Sequence, residues 1–86
     1  MQPIDIYTTR TCGFCQAAKR LLDKKGVAYN EIDVSGDAEG RAKMTQRAKG
    51  RTSVPQIFVG ETHVGGCDEL YELDGSGKLD PLLAAE

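Results

Sequence analysis

Cys12 and Cys15 stand three residues apart in the stretch TCGFC, and the chain holds one other cysteine, Cys67. Two thiols at that spacing can work as a redox pair, supply half of a metal site, or staple the chain. A staple closing so short a loop would constrain the unfolded chain very little. A zinc site could draw on Cys12, Cys15, His63 and Cys67, but the second pair is spaced H-x3-C across a Gly-Gly break and not in a knuckle-like turn. A redox pair needs a strand before the first cysteine and a helix after it, with the first sulfur at the helix start. There, unpaired backbone N–H groups and the positive end of the helix dipole favour a thiolate, the reactive form of the thiol. The second cysteine, one turn further in, would lie with its Cα about 5–6 Å from the first, within disulfide reach. Arg10 adds a positive charge nearby, Gly13 leaves the approach open, and Phe14 either presents a ring beside the sulfurs or seats the helix.

The flanking sequence supplies that frame. Ile4 to Tyr7 alternates apolar and polar after Pro3 and reads as a strand. Phe14, Ala17, Ala18, Leu21 and Leu22 then recur at helical spacing, with Lys24 and Lys25 in the last turn and Gly26 as the stop. Val27 to Val34 returns to alternation, and a strand, helix and strand of this length predict a right-handed crossover between parallel strands. From Ser35 to Gly50 a second helix is expected, capped by Ser35 or Asp37, with a thin apolar face. Val54 to Gly60 and Thr62 to Gly66 are short β-like runs close enough to form a hairpin. Cys67 to Leu73 is helical in character, and Asp80-Pro81 reads as the cap and first residue of a short last helix. The order is βαβαββα with a helical tail, an α/β fold with a mixed sheet of four strands flanked by helices.

The totals bound the function. A chain of 86 residues supports one core, so a single domain over residues 1–86 is expected. Apolar residues make up 40% and charged residues 28%, the mixture of an ordinary globular protein. No run approaches the ~20 apolar residues of a membrane span. A net charge of −2, from 11 basic and 13 acidic residues, argues against a nucleic-acid binder held by phosphate contacts. The N-terminus lacks the pattern of a secretory signal, so a cytoplasmic location is expected, where thiols are kept reduced and a CxxC pair is more often catalytic or metal-binding than a staple.

CGFC after a first strand, SVPQIFVG in the second half and GGCDEL shortly after it together resemble the glutaredoxins, the glutathione-dependent branch of the thioredoxin fold, and most closely their short bacterial dithiol members. The resemblance spans nearly the whole chain. It implies a glutathione-dependent thiol-disulfide oxidoreductase in which Cys12 is the nucleophile and Cys15 the resolving thiol. Pro55 corresponds to the family's cis proline, with Val54 offering its backbone to the cysteinyl part of glutathione and Ser53 beside it. Gly66 and Cys67 would present N–H groups to a carboxylate, and Asp68 would pair with the γ-glutamyl ammonium. Arg10, Thr11, Phe14 and Arg51 complete the implied glutathione site. The implied partners are glutathione and glutathionylated or disulfide-containing proteins, with no nucleic acid and no membrane.

Two departures from the family pattern bear on the chemistry. The lysine that usually stands three residues before the nucleophile is Thr9 here, with Arg10 next to it, and neighbours on extended backbone face opposite ways. Arg10 or Arg51 is then expected to hold the glycyl carboxylate, while Arg41, Arg47 and Lys49 read as solvated charges. The Gly-Phe centre of the motif is shared with monothiol CGFS glutaredoxins, which implies an alternative: a 2Fe-2S cluster held by Cys12 of two subunits and two glutathiones. A monomer is expected, and a dimer only if such a cluster is bridged. A thioredoxin-like donor served by a flavoenzyme reductase keeps the thiol chemistry without the glutathione site. Cys67 reads as a small buried residue at a helix start, His63 as a surface or strand residue, and Tyr7 and Tyr71 as packing residues.

Overall fold

The computed structural model describes residues 2–85, so Met1 and Glu86 of the expected domain lie outside the described residues. The elements run β1 (Ile4–Thr8), α1 (Gly13–Lys24), β2 (Asn30–Asp33), α2 (Ala38–Arg47), β3 (Gln56–Val59), β4 (Thr62–Gly65), α3 (Cys67–Gly75) and α4 (Leu79–Ala84). This is the expected order. The sheet is arranged β2-β1-β3-β4, with β1 parallel to β2 and antiparallel to β3, and β3 antiparallel to β4.

Alternation along the strands divides the core into two layers. Ile4 and Ile6 of β1 and Ile57 and Val59 of β3 pack with Ala18, Leu21 and Leu22 of α1, Leu70 of α3, and Leu79 and Leu83 of α4. Tyr7, Phe58 and Val34 pack instead with Met44 and Ala48 at the C-terminal half of α2. The thin apolar face of α2 is thus enough, because it covers only one end of the sheet's second face. Asp37 is the α2 cap, its carboxylate accepting the Gly40 N–H at 2.9 Å. α1 ends where Gly26 turns at φ 71°, a conformation glycine adopts without a Cβ penalty.

Several boundaries differ from expectation: α2 and β3 are shorter at both ends than the runs expected from Ser35 to Gly50 and Val54 to Gly60, and two further differences have a clear cause. The second strand covers Asn30–Asp33 and not Val27 to Val34, because β1 pairs with it only from Asp5 opposite Asn30 to Thr8 opposite Asp33. Val27 instead donates its N–H back to Leu22 at the end of α1, at 3.4 Å. The last helix begins at Leu79 with Lys78 as its cap. Leu79 and Leu83, one turn apart and both buried, set its register. Asp80 lies inside the first turn, where it pairs with Lys25 at 3.0 Å. Pro81 follows it there, at a position whose N–H has no intrahelical acceptor to lose.

Candidate functional site

Cys12 is the N-cap of α1, where β1 hands the chain to the helix. Its sulfur accepts the Cys15 N–H at 3.2 Å and, as a thiol, donates to the Val54 carbonyl at 3.6 Å. Cys12 is half-buried, whereas Cys15 is wholly buried, and all three cysteines are free thiols. Burial, with a smaller contribution from the hydrogen bond to Cys12, pushes the Cys15 thiol from its ordinary 9.0 up to about 12. The Cys67 thiol is also pushed up, first by burial and then by the neighbouring Asp68 charge. One sulfur therefore faces solvent beside two backbone groups, and the other two are held as protonated thiols.

A cavity of about 180 Å³ lies against Val54, whose carbonyl Cys12 contacts, though Cys12 does not itself line it. Its walls are Phe14 from α1, Ser53, Val54 and Pro55 from the loop before β3, and Gly66, Cys67, Asp68 and Glu69 from the start of α3, with Arg51 also lining it. Larger cavities lie elsewhere on the surface, so chemistry and not size singles this one out. The Val54–Pro55 peptide bond is cis. Phe14 keeps 66% of its surface exposed and lines this cavity, so its ring does not seat the helix. The start of α3 is fixed by Glu69, whose carboxylate accepts the Gly66 N–H at 2.7 Å and the Arg51 guanidinium at 3.0 Å. Those two contacts, the backbone one first, hold the Glu69 carboxyl below its ordinary range. Gly65 precedes it at φ 111°, and a Cβ there would meet both members of the Glu69–Arg51 pair.

Two free thiols thus stand at a strand-to-helix junction, beside a segment that carries a cis proline. A family model described as Glutaredoxin matches residues 4–64. The chain belongs to the glutaredoxin family. It is 54% identical over 85 residues to a glutaredoxin of Pseudomonas aeruginosa, covering 99% of this chain and 100% of that one. Its fold matches the solution structure of the glutaredoxin from Brucella melitensis with a TM-score of 0.85 and 53% identity, covering 96% of this chain and 89% of that one. A crystal structure of a buckwheat glutaredoxin-glutathione complex matches with a TM-score of 0.85 and 34% identity, covering 95% of this chain and 76% of that one. The architecture is thus thioredoxin-like, and the activity class is that of a thiol-disulfide oxidoreductase.

Among the residues expected to face a ligand in this glutaredoxin, Arg10 and Thr11 do not line the cavity. They occupy the turn between β1 and α1, where the Arg10 N–H is tied to the Ser35 hydroxyl at 2.8 Å and its charge acts on Asp33. Arg51 is the arginine that reaches the cavity, leaning on Glu69. Glu69 itself was not among the expected residues, although a glutamate three positions into a helix is the recognisable half of a capping box. His63 is half-buried on β4, stacked on Phe58 with ring centroids 4.7 Å apart. Burial and then the Arg51 charge push its imidazole below the usual range. Tyr7 packs edge-on against Phe58, and the exposed Tyr71 donates its hydroxyl hydrogen to the Ala17 carbonyl at 3.1 Å. No described helix is long and apolar enough to cross a membrane.

Proposed function

We propose that the chain uses glutathione to reduce protein-glutathione mixed disulfides and protein disulfides, in the cytoplasm. The observation that carries this reading is the cavity beside Cys12, which joins an open backbone segment, Ser53–Pro55, to the N-terminus of α3. A tripeptide with a thiol in its middle and carboxylates at both ends suits such a groove. The Val54 backbone would pair with the cysteinyl unit, while the Cys67 N–H and Asp68 would take the γ-glutamyl carboxylate and ammonium, the Gly66 N–H being already bound by Glu69. Arg51, the basic residue on the cavity wall, would take the glycyl carboxylate.

In the proposed reaction the Cys12 thiolate attacks the glutathione sulfur of the mixed disulfide. A Cys12–glutathione disulfide forms as the protein–glutathione bond breaks, and the protein thiolate leaves and takes a proton. A second glutathione thiolate then attacks that glutathione sulfur, releasing oxidised glutathione and the Cys12 thiolate. For a protein disulfide, Cys12 forms the mixed disulfide with the substrate. Cys15 then loses its proton and displaces the substrate thiol. Two glutathiones reduce the resulting Cys12–Cys15 bond, the first forming a mixed disulfide with Cys12 and the second leaving with it as oxidised glutathione. Cys12→Ser should abolish both routes, while Cys15→Ser should keep deglutathionylation and impair the dithiol route, each read as glutathione-dependent turnover. Substantial turnover without Cys12 would sink the assignment.

The cluster alternative would use Cys12, a free and only half-buried thiol, with open space beside its neighbour Gly13, where an added Cβ would meet no atom within 4 Å. Among the described residues no group of three or more potential ligands could hold a metal within one chain. Cys12 is the one ligand a subunit would supply, so a cluster requires a dimer and added thiols. Visible absorption and dimerisation after anaerobic reconstitution with iron, sulfide and glutathione would favour that reading. A colourless monomer would remove it.

A further inference from the structure

Gln56 is a polar side chain with no exposed surface, and burying an amide is costly unless its hydrogen bonds are made. It lies on the α2 side of the sheet, opposite Tyr7 in the β1–β3 register. The Gln56 amide nitrogen donates to the Ser53 carbonyl at 2.9 Å and lies 3.3 Å from the Ser53 hydroxyl. A carbonyl oxygen can only accept, so the NH2 end of the amide must face Ser53 and the oxygen must face the other way. That oxygen lies 2.7 Å from Nε2 of His63. It too can only accept, so His63 must carry its hydrogen on Nε2. The imidazole is stacked on Phe58, whose ring centroid lies 4.0 Å from the Arg47 guanidinium.

We propose that Gln56 and His63 are positioning residues: a relay from His63 through Gln56 to Ser53 sets the pose of the segment whose next residue, Val54, meets both Cys12 and the ligand. Neither residue lines the Cys12 cavity, so neither touches a molecule bound there. The relay ends on the Ser53 carbonyl, one residue before Val54, whose own carbonyl accepts from the Cys12 sulfur. A histidine on β4 is thereby joined by two hydrogen bonds and a short stretch of backbone to the redox centre. Protonation does not break the relay, because an imidazolium keeps its Nε2 hydrogen.

The inference rests on the glutathione reading for the role of Val54, and the test separates the two. In the full-length chain, His63→Leu leaves the Gln56 oxygen buried and unpaired, whereas His63→Gln retains a donor. With one buried hydrogen bond lost, KM for a glutathionylated peptide should rise about 3- to 10-fold in His63→Leu with kcat little changed. His63→Gln should recover most of that loss. Equal KM values in wild type and His63→Leu, or a loss in His63→Gln as large as in His63→Leu, would overturn the relay. Nitrogen-15 NMR of the wild-type imidazole gives a readout independent of turnover and of any variant's folding. An Nε2–H tautomer is expected at neutral pH, and an Nδ1–H tautomer would overturn the relay. Absence of wild-type turnover of the mixed disulfide would sink the glutathione reading while leaving the tautomer result standing.

Discussion

The two thiols of the CGFC motif should differ sharply in how readily they react, and the difference can be worked out from burial. Cys15, with no exposed surface, is pushed from 9.0 to about 12. At pH 8 about one in ten unperturbed thiols is a thiolate, against about one in ten thousand for Cys15, a ratio of about a thousand. A more basic thiolate is intrinsically more nucleophilic, which returns about 15- to 30-fold over three pH units. The net expectation is a reaction about 30- to 60-fold slower than that of the same cysteine in an unfolded chain, with steric shielding slowing it further. The assay is stopped-flow reaction with a small neutral disulfide, using a Cys12→Ser, Cys67→Ala variant so that Cys15 reacts alone. Removing Cys12 deletes smaller contributions and leaves burial, the largest, so a gap of about tenfold or more should persist. The rate should climb about tenfold per pH unit through pH 8 to 10 instead of levelling off near the ordinary value. A plateau near pH 9, or a rate matching that of the urea-unfolded variant, would refute the argument.

Leu22, fully buried between α1 and the sheet, should cost about 2–5 kcal/mol on truncation to alanine, measured by urea unfolding. Glu69→Gln should lower the melting temperature at neutral pH by removing the charge from the Gly66 cap and the Arg51 pair. Because the folded carboxyl lies below its ordinary 4.5, its contribution is present above that pH and is lost as pH falls toward the depressed folded value. The two melting curves should therefore converge in acid, and a gap that persists unchanged there would contradict the assignment. Both partners are substantially exposed, so the gap should also shrink in high salt. Gly65→Ala forces a side chain into φ 111° and onto the Glu69–Arg51 pair. It should destabilise by more than about 1 kcal/mol in chemical denaturation, and a neutral result would show that the turn relaxes freely.

How much of this was legible in the sequence depends on whether the signal was local. The CxxC pair, the apolar spacing of α1 and the hairpin of β3 and β4 are carried by residues close in the chain, and the structure has all three, with β3 beginning two residues after the expected run. Val27 to Tyr29 look like strand because their own alternation says so, yet a strand needs a neighbour, and β1 runs out of pairing before them. The start of α4 went unread for a related reason. Asp80-Pro81 is a strong local cap signal, but burial of Leu79 and Leu83 against the distant α1 layer outweighed it. Arg10 and Arg51 could not be ranked from the sequence, because which one reaches the cavity depends on the direction of a turn and on a carboxylate 18 residues further along the chain.

The same reasoning explains why His63 looked inert. Its partner Gln56 is seven residues away, a separation with no helical or strand periodicity, and the two meet only because the hairpin register sets Phe58 opposite His63. A buried glutamine next to a proline nonetheless makes a definite chemical demand: its amide has to find a donor and an acceptor within the fold. Here the acceptor lies on the loop that faces Cys12 and the donor on the far strand, so satisfying one buried side chain ties the hairpin to the redox centre. A core of apolar residues could have packed that space equally well. Only a polar one also dictates where the Ser53 carbonyl points, and with it the segment against which Cys12 reacts.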